Sequence, residues 1–225
     1  MMAVYDLQEQ EQLDEIKTWW KQHGNLVTSI LLAAAIGVAG WQGWNWYQGR
    51  QSAQAAVVFG VLQKAALEGD AQRLKAAAGE LLENYKGSTY ASLGALTAAK
   101  VAFDGGDLKT AKVQLAWVAE NGKDELRDLG RLRLAAVLLD EKAYDEALKQ
   151  LEAKPAPAFA ARYAEVRGDI FLAQDKKDEA RKAFADALAA IDAAAKAGSG
   201  AQDAQAAAAY RQVLQQKADA LGEAK

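Results

Sequence analysis

Cysteine is absent from this chain of 225 residues, and histidine occurs once, at His23. Disulfides, thiolate nucleophiles and the Cys/His spacings of structural zinc sites are therefore excluded. Freedom from cysteine suits an oxidising compartment, where a spare thiol is a liability, without requiring one. Proline is nearly missing too, with only Pro155 and Pro157 to interrupt helices. No glycine loop of the phosphate-cradling kind occurs, and no serine or threonine has a base spaced to activate it. Carboxylates do cluster at Asp104-Gly-Gly-Asp107 and Asp140-Glu141. They fall on turns, where acids serve as helix caps, so no catalytic, cofactor-binding or metal residue is expected. The reading is not an enzyme.

The most informative absence is of charge. No Asp, Glu, Lys or Arg occurs among the 28 residues from Gln22 to Gly49. At about 1.5 Å per residue, roughly 20 apolar residues cross the ~30 Å hydrocarbon core of a bilayer. Residues 25–47 supply that length. Trp41, Trp44, Trp46 and Tyr47 crowd one end, and Trp19 and Trp20 bracket the other with Lys17 and Lys21, as interfacial aromatics and cations do. A buried core helix would not gather aromatics at both flanks. A cleaved signal peptide would want a basic leader, whereas residues 1–24 hold five acids against two lysines. Val38-Ala39-Gly40 resembles a small-residue cleavage site, but an aromatic girdle directly follows it. An uncleaved signal anchor is expected, with a short cytoplasmic segment at 1–24. Lys17 and Lys21 before the span outnumber Arg50 after it, which puts the N-terminus inside and the rest outside. Gly37, Gly40 and Gly43 give the span small residues where another helix could approach.

From residue 48 onward the charges balance at 25 of each sign. Such a body has no electrostatic footprint for nucleic acid. Ala, Leu, Lys, Gln, Glu and Arg dominate it, all good helix formers, and turns cut it into stretches of 12–20 residues. Three of those turns align: Asp104-Gly-Gly-Asp-Leu-Lys-Thr-Ala111, Asp140-Glu-Lys-Ala-Tyr-Asp-Glu-Ala147 and Ala173-Gln-Asp-Lys-Lys-Asp-Glu-Ala180. Their final alanines are 36 and 33 residues apart, and Glu68 to Leu74 forms an earlier copy. This scatters about the ~34 residues of a tetratricopeptide repeat.

The fold class expected is all-α: an N-terminal transmembrane helix, an α-solenoid of helix pairs over 48–200, and a capping helix at 201–225. The repeat register nominates Ala111, Leu134, Ala135, Leu138, Ala147 and Leu151 as core. In the last copy it nominates Gly168, Phe171, Ala180, Phe184 and Ala187. Gly198-Ser-Gly200 reads as a hinge, after which Ala206, Ala209, Tyr210, Val213 and Leu214 form the apolar side of the cap. A concave surface on such an array binds peptides or proteins.

The opening residues carry a further signal. Val4-Tyr-Asp-Leu-Gln-Glu-Gln-Glu-Gln-Leu-Asp14, then Ile16-Lys-Thr-Trp-Trp-Lys21, then Gly24-Asn25 entering the span, resemble the YfgM family, the ancillary subunits of the bacterial SecYEG translocon. The resemblance runs over essentially the whole chain. It implies a single-pass inner-membrane protein with a periplasmic repeat domain. As partners it implies the SecYEG translocon, a membrane-anchored chaperone of the peptidyl-prolyl isomerase type (the PpiD class) and exported polypeptides. A different class of function fits the same architecture: an envelope scaffold or regulatory adaptor whose repeats grip one folded partner.

Overall fold

Alanine-rich sequence between evenly spaced turns folds as helix throughout the computed structural model. It describes residues 3–196 and 201–222, with side chains for 17–196 and 205–222. Nine α-helices occur among them: α1 (Ala3–Glu68), α2 (Ala71–Asn84), α3 (Thr89–Asp104), α4 (Leu108–Asn121), α5 (Asp124–Asp140), α6 (Tyr144–Gln150), α7 (Ala160–Ala173), α8 (Lys177–Lys196) and α9 (Ala201–Asp219). The chain divides into two units, 1–51 and 52–225. The first is the helical segment bearing the span. The second holds the end of α1 and all other helices. The hinge expected at Gly198-Ser-Gly200 lies outside the described residues.

Four turns in the second unit have one design. Each places a residue in the left-handed region: Gly69 (φ 71°), Gly106 (φ 79°), Lys142 (φ 61°) and Asp175 (φ 58°). Each then closes the preceding helix with a six-to-one hydrogen bond of Schellman type: Asp70 N–H to Ala65 O, Asp107 N–H to Ala102 O, Ala143 N–H to Leu138 O, and Lys176 N–H to Phe171 O. Five residues beyond the left-handed position stand Leu74, Ala111, Ala147 and Ala180, and all four are buried. Twelve residues before those stand Leu62, Ala99, Ala135 and Gly168, also buried. The repeat is thus written in the backbone, with the spacing seen in the sequence.

Close crossing at small residues sets the pairing. A Cβ built on Gly94 would lie 2.5 Å from Leu81 Cδ1, one on Gly130 2.7 Å from Val118 Cγ1, and one on Gly168 2.5 Å from Phe184 Cε1. Three apolar clusters result. The end of α1 packs with α2 and α3 through Leu62, Ala78, Leu81 and Ala91. A central cluster joins α3 to α7 through Leu115, Leu134, Leu138, Leu151 and Tyr163. The last gathers Ala164, Phe184, Ala187, Ile191 and Leu214 from α7, α8 and α9.

The third copy departs from the expected helix length. Where 12–20 residues were expected, α6 has 7 and stops at Gln150. Pro155 and Pro157 follow five and seven residues later, and neither can donate a backbone hydrogen bond. The chain crosses instead through a 3-10 turn at Pro157–Phe159, and α5 and α7 touch directly. Asp128 on α5 ties this crossing down. Its Oδ2 accepts from Ala156 N–H at 2.8 Å, and its backbone oxygen accepts from Tyr163 Oη at 3.1 Å. Burial and the nearby Asp128 charge push the Tyr163 phenol well above its usual value.

Candidate functional site

Two surfaces are candidates, one in each unit. In the first, the α1 segment from Leu26 to Tyr47 presents almost all its apolar side chains outward. Leu31, Ile36 and Trp41 are 63%, 65% and 66% exposed. This is the one helix among the described residues long and apolar enough to cross a membrane. Its two hydroxyls, near the N-terminal end, are bonded within the helix, as a hydrocarbon core favours. Thr28 Oγ1 donates to Gly24 O at 2.7 Å and Ser29 Oγ to Asn25 O at 2.8 Å. Aromatic and basic side chains meet at its flanks. Trp19 stacks on His23 at 5.3 Å, and Arg50 sits 4.2 Å over the Trp46 ring. Gly37, Gly40 and Gly43 have open space where a Cβ would stand. They are bare small positions on the span.

In the second unit, α3, α4 and α5 enclose a depression of about 320 Å³. Ala99, Phe103, Leu115, Ala136 and Val137 make its apolar lining, and Lys100, Arg133 and Asp140 stand with them. The small Ala99 and Ala136 leave the space, and Phe103 is 42% exposed. Lys100 pairs with Asp104, while Arg133 and Asp140 form no ion pair among the described residues. Such a site can take one or two large apolar side chains and recognise a polar neighbour of either sign. A second depression of about 260 Å³ between α2, α3 and α4 is lined by Leu74, Ala78, Val101, Asp107 and Gln114. Gln114 Oε1 is buried there without a hydrogen-bond partner.

The nominated core residues can now be placed. Ala111, Leu134, Ala135, Leu138, Ala147, Leu151, Gly168, Ala180, Phe184 and Ala187 are buried. Phe171 differs: it is half-buried, packed against the α7–α8 cluster from the last turn of its helix. The turn acids divide their work. Asp107 caps α4 by accepting from Thr110 N–H at 3.0 Å, and those hydrogen bonds to Thr110 hold its carboxyl below the usual value. Glu141, at the end of α5, instead binds Lys112 on α4 at 2.6 Å.

The cap presents a different face from the one expected. Of its expected apolar side, Ala206, Ala209 and Val213 are exposed, while Leu214 is buried and Tyr210 half-buried. The true inner face runs through Ala207, Tyr210, Leu214, Lys217, Ala218 and Leu221. It is rotated toward a polar cluster that sequence reasoning missed. Glu165 on α7, almost fully buried, accepts from Tyr210 Oη at 2.6 Å and from Lys217 Nζ at 3.0 Å. Lys217 also reaches Asp169 at 2.9 Å, and Arg162 lies 4.0 Å over the Tyr210 ring. Burial pushes the Glu165 carboxyl up, but hydrogen bonds from Tyr210 and Lys217 outweigh it and hold the group below its ordinary value. At Asp169 burial wins, and the carboxyl sits above its ordinary value despite Lys217.

Comparison with known proteins bears on both surfaces. A tetratricopeptide repeat-like domain family matches residues 17–223, span and body together. A protein of Neisseria gonorrhoeae named "Ancillary SecYEG translocon subunit" is 35% identical over 192 residues, covering 83% of this chain and 90% of the relative. The chain belongs to this family of ancillary SecYEG translocon subunits. Proteins of the same name from Haemophilus influenzae and Escherichia coli are 29% and 28% identical, over 80% and 81% of this chain and 89% and 88% of theirs. Family, helical repeat fold and apolar N-terminal helix thus agree with the resemblance drawn from the opening residues.

Proposed function

We propose that the chain is a non-enzymatic helper of the SecYEG translocon, held in the inner membrane by α1 with its N-terminus in the cytoplasm. The repeat body then lies in the periplasm. There it binds a peptidyl-prolyl isomerase-type membrane chaperone of the PpiD class, emerging polypeptides, or both. One observation carries the reading: a relative named for the translocon is 35% identical across nine-tenths of its own length. Three features support it. The span has lipid-compatible side chains and internally bonded hydroxyls. Its two preceding lysines against one following arginine favour the assigned orientation. The α3–α5 depression is apolar and of a size to hold side chains of another polypeptide.

Replacing Asn25–Trp46 with an unrelated apolar span of equal length tests the division of labour. The repeat body should keep its thermal unfolding, while co-purification with translocon subunits falls as close approach at Gly37 and Gly40 is lost. Undiminished co-purification would assign translocon contact to the body and remove the span from the reading. Recovery of a single folded envelope protein, with no chaperone and no exported chains, would favour the scaffold alternative.

A further inference from the structure

The contact of α9 with α7 and α8 couples an apolar seam to a buried polar cluster. Beneath α9, α7 and α8 offer an apolar strip (Ala164, Phe184, Ala187, Ile191) edged by two carboxylates, Glu165 and Asp169. Into it α9 sends three side chains at i, i+4 and i+7. Tyr210 gives its hydroxyl to Glu165 at 2.6 Å. Leu214, the only fully buried large side chain of the helix among the described residues, enters the apolar strip. Lys217 bridges Glu165 and Asp169 at 3.0 and 2.9 Å, with its ammonium 5.8 Å from the Phe184 ring centre. Two lesser ties hold the helix: Arg211 to Asp192 at 3.1 Å, and Arg181 to the carbonyls of Leu221 and Gly222 at 3.3 and 3.1 Å.

An element at the end of an array, held by one fully buried large side chain, a few half-buried ones and a few hydrogen bonds, opens at lower free energy than the stack it covers. We infer that the α7–α8 surface is a helix-docking site that α9 occupies exchangeably. It admits a helix of a partner polypeptide carrying an aromatic hydroxyl, a leucine and a cation at i, i+4 and i+7. Charge complementarity sets that requirement. Without α9, Glu165 keeps Arg162 as its ion-pair partner and Asp169 loses Lys217, its one ion-pair partner among the described residues, so an incoming helix without a cation leaves Asp169 uncompensated. This site is separate from the α3–α5 depression and does not depend on its assignment.

The test uses the full chain in nanodiscs and a fluorescein-labelled peptide of residues 201–222 as the competing helix. Substituting Lys217→Met in the chain loosens its own α9 while leaving Glu165 and Asp169 intact. The peptide should then bind the variant chain about 10- to 100-fold more tightly than the unaltered chain, the range spanned by one charged hydrogen bond. Hydrogen exchange should accelerate over 205–222 and stay unchanged in α2 to α5. Tyr210→Phe, which keeps the ring, should shift both readouts the same way by less. A peptide bearing Lys217→Met should lose the gain. Equal peptide affinity for both chains, or exchange of α9 only together with α2 to α5, would overturn the inference. So would a concentration-dependent dimer that Glu165→Gln abolishes, since the occupant would then be the α9 of a second copy.

Discussion

Gly168 lies against the ring of Phe184, so that a Cβ on Gly168 would fall 2.5 Å from Cε1 and 2.6 Å from Cδ1. Phe184 is fully buried among α7, α8 and α9 and has nowhere to move. Gly168→Ala should therefore destabilise the second unit by about 1–3 kcal/mol through overpacking. Phe184→Ala should cost about 3–5 kcal/mol through the cavity it leaves. Phe171→Ala, at a half-buried ring, should cost less than Phe184→Ala. Denaturant unfolding of the solubilised chain measures all three, and an unchanged midpoint for Gly168→Ala would contradict the close crossing.

The four equivalent turns make a second prediction. Glycine fills the left-handed position in the first two, but Lys142 and Asp175 fill it in the others at φ 61° and 58°. A side chain there costs about 1–2 kcal/mol, and glycine gives back about 0.5–1 in chain entropy. Lys142→Gly and Asp175→Gly should each stabilise the fold by up to about 1 kcal/mol, whereas Gly106→Ala should destabilise it. Loss of stability in both glycine variants would show that side-chain contacts, not backbone conformation, govern these turns.

What the sequence revealed follows from where its signals lie. The repeat was legible because three of the turns and the alanine five positions on are close in sequence, as in Asp175 and Ala180. The span was legible because lipid exposure demands a long uncharged run. The shortness of α6 was only half legible: Pro155 and Pro157 announced a break but not how early the helix would end. The α9 cluster was hidden. Tyr210 and Lys217 are 45 and 52 residues from Glu165, and no local period connects a buried carboxylate to a distant lysine. An apolar count along α9 favoured Ala206 and Val213, and the ion cluster turned the helix away from them.

That cluster predicts a pH profile. The Glu165 carboxyl is held below its ordinary 4.5, so its contribution is present above that value and lost as pH falls through the folded value. Asp169 is raised above its ordinary 3.8, so its protonation favours the folded state and partly offsets that loss. Lys217 is raised as well: burial lowers it, but bonds to Asp169 and Glu165 prevail. Its contribution is complete below 10.5 and disappears as pH rises through the folded value. Thermal unfolding should be level through neutral pH and fall on the alkaline side. Glu165→Gln should weaken the fold at neutral pH and reduce the loss seen in acid. An acid limb unaltered by Glu165→Gln would place the responsible group elsewhere.

Topology gives the fourth. A reporter active only in the periplasm should work when fused after Lys225 and fail when fused upstream of Trp19. The chain should resist carbonate extraction. A soluble form beginning near Trp41 would instead establish cleavage after the apolar run.

The proposed role rests on the exposed apolar helix α1 placing this chain beside the translocon. Photo-crosslinkers at Leu31 and Ile36, both more than 60% exposed on that helix, test it in living membranes. The expected result is that translocon subunits dominate the adducts identified by mass spectrometry. Adducts dominated by lipid or by unrelated membrane proteins, at both positions, would contradict the account.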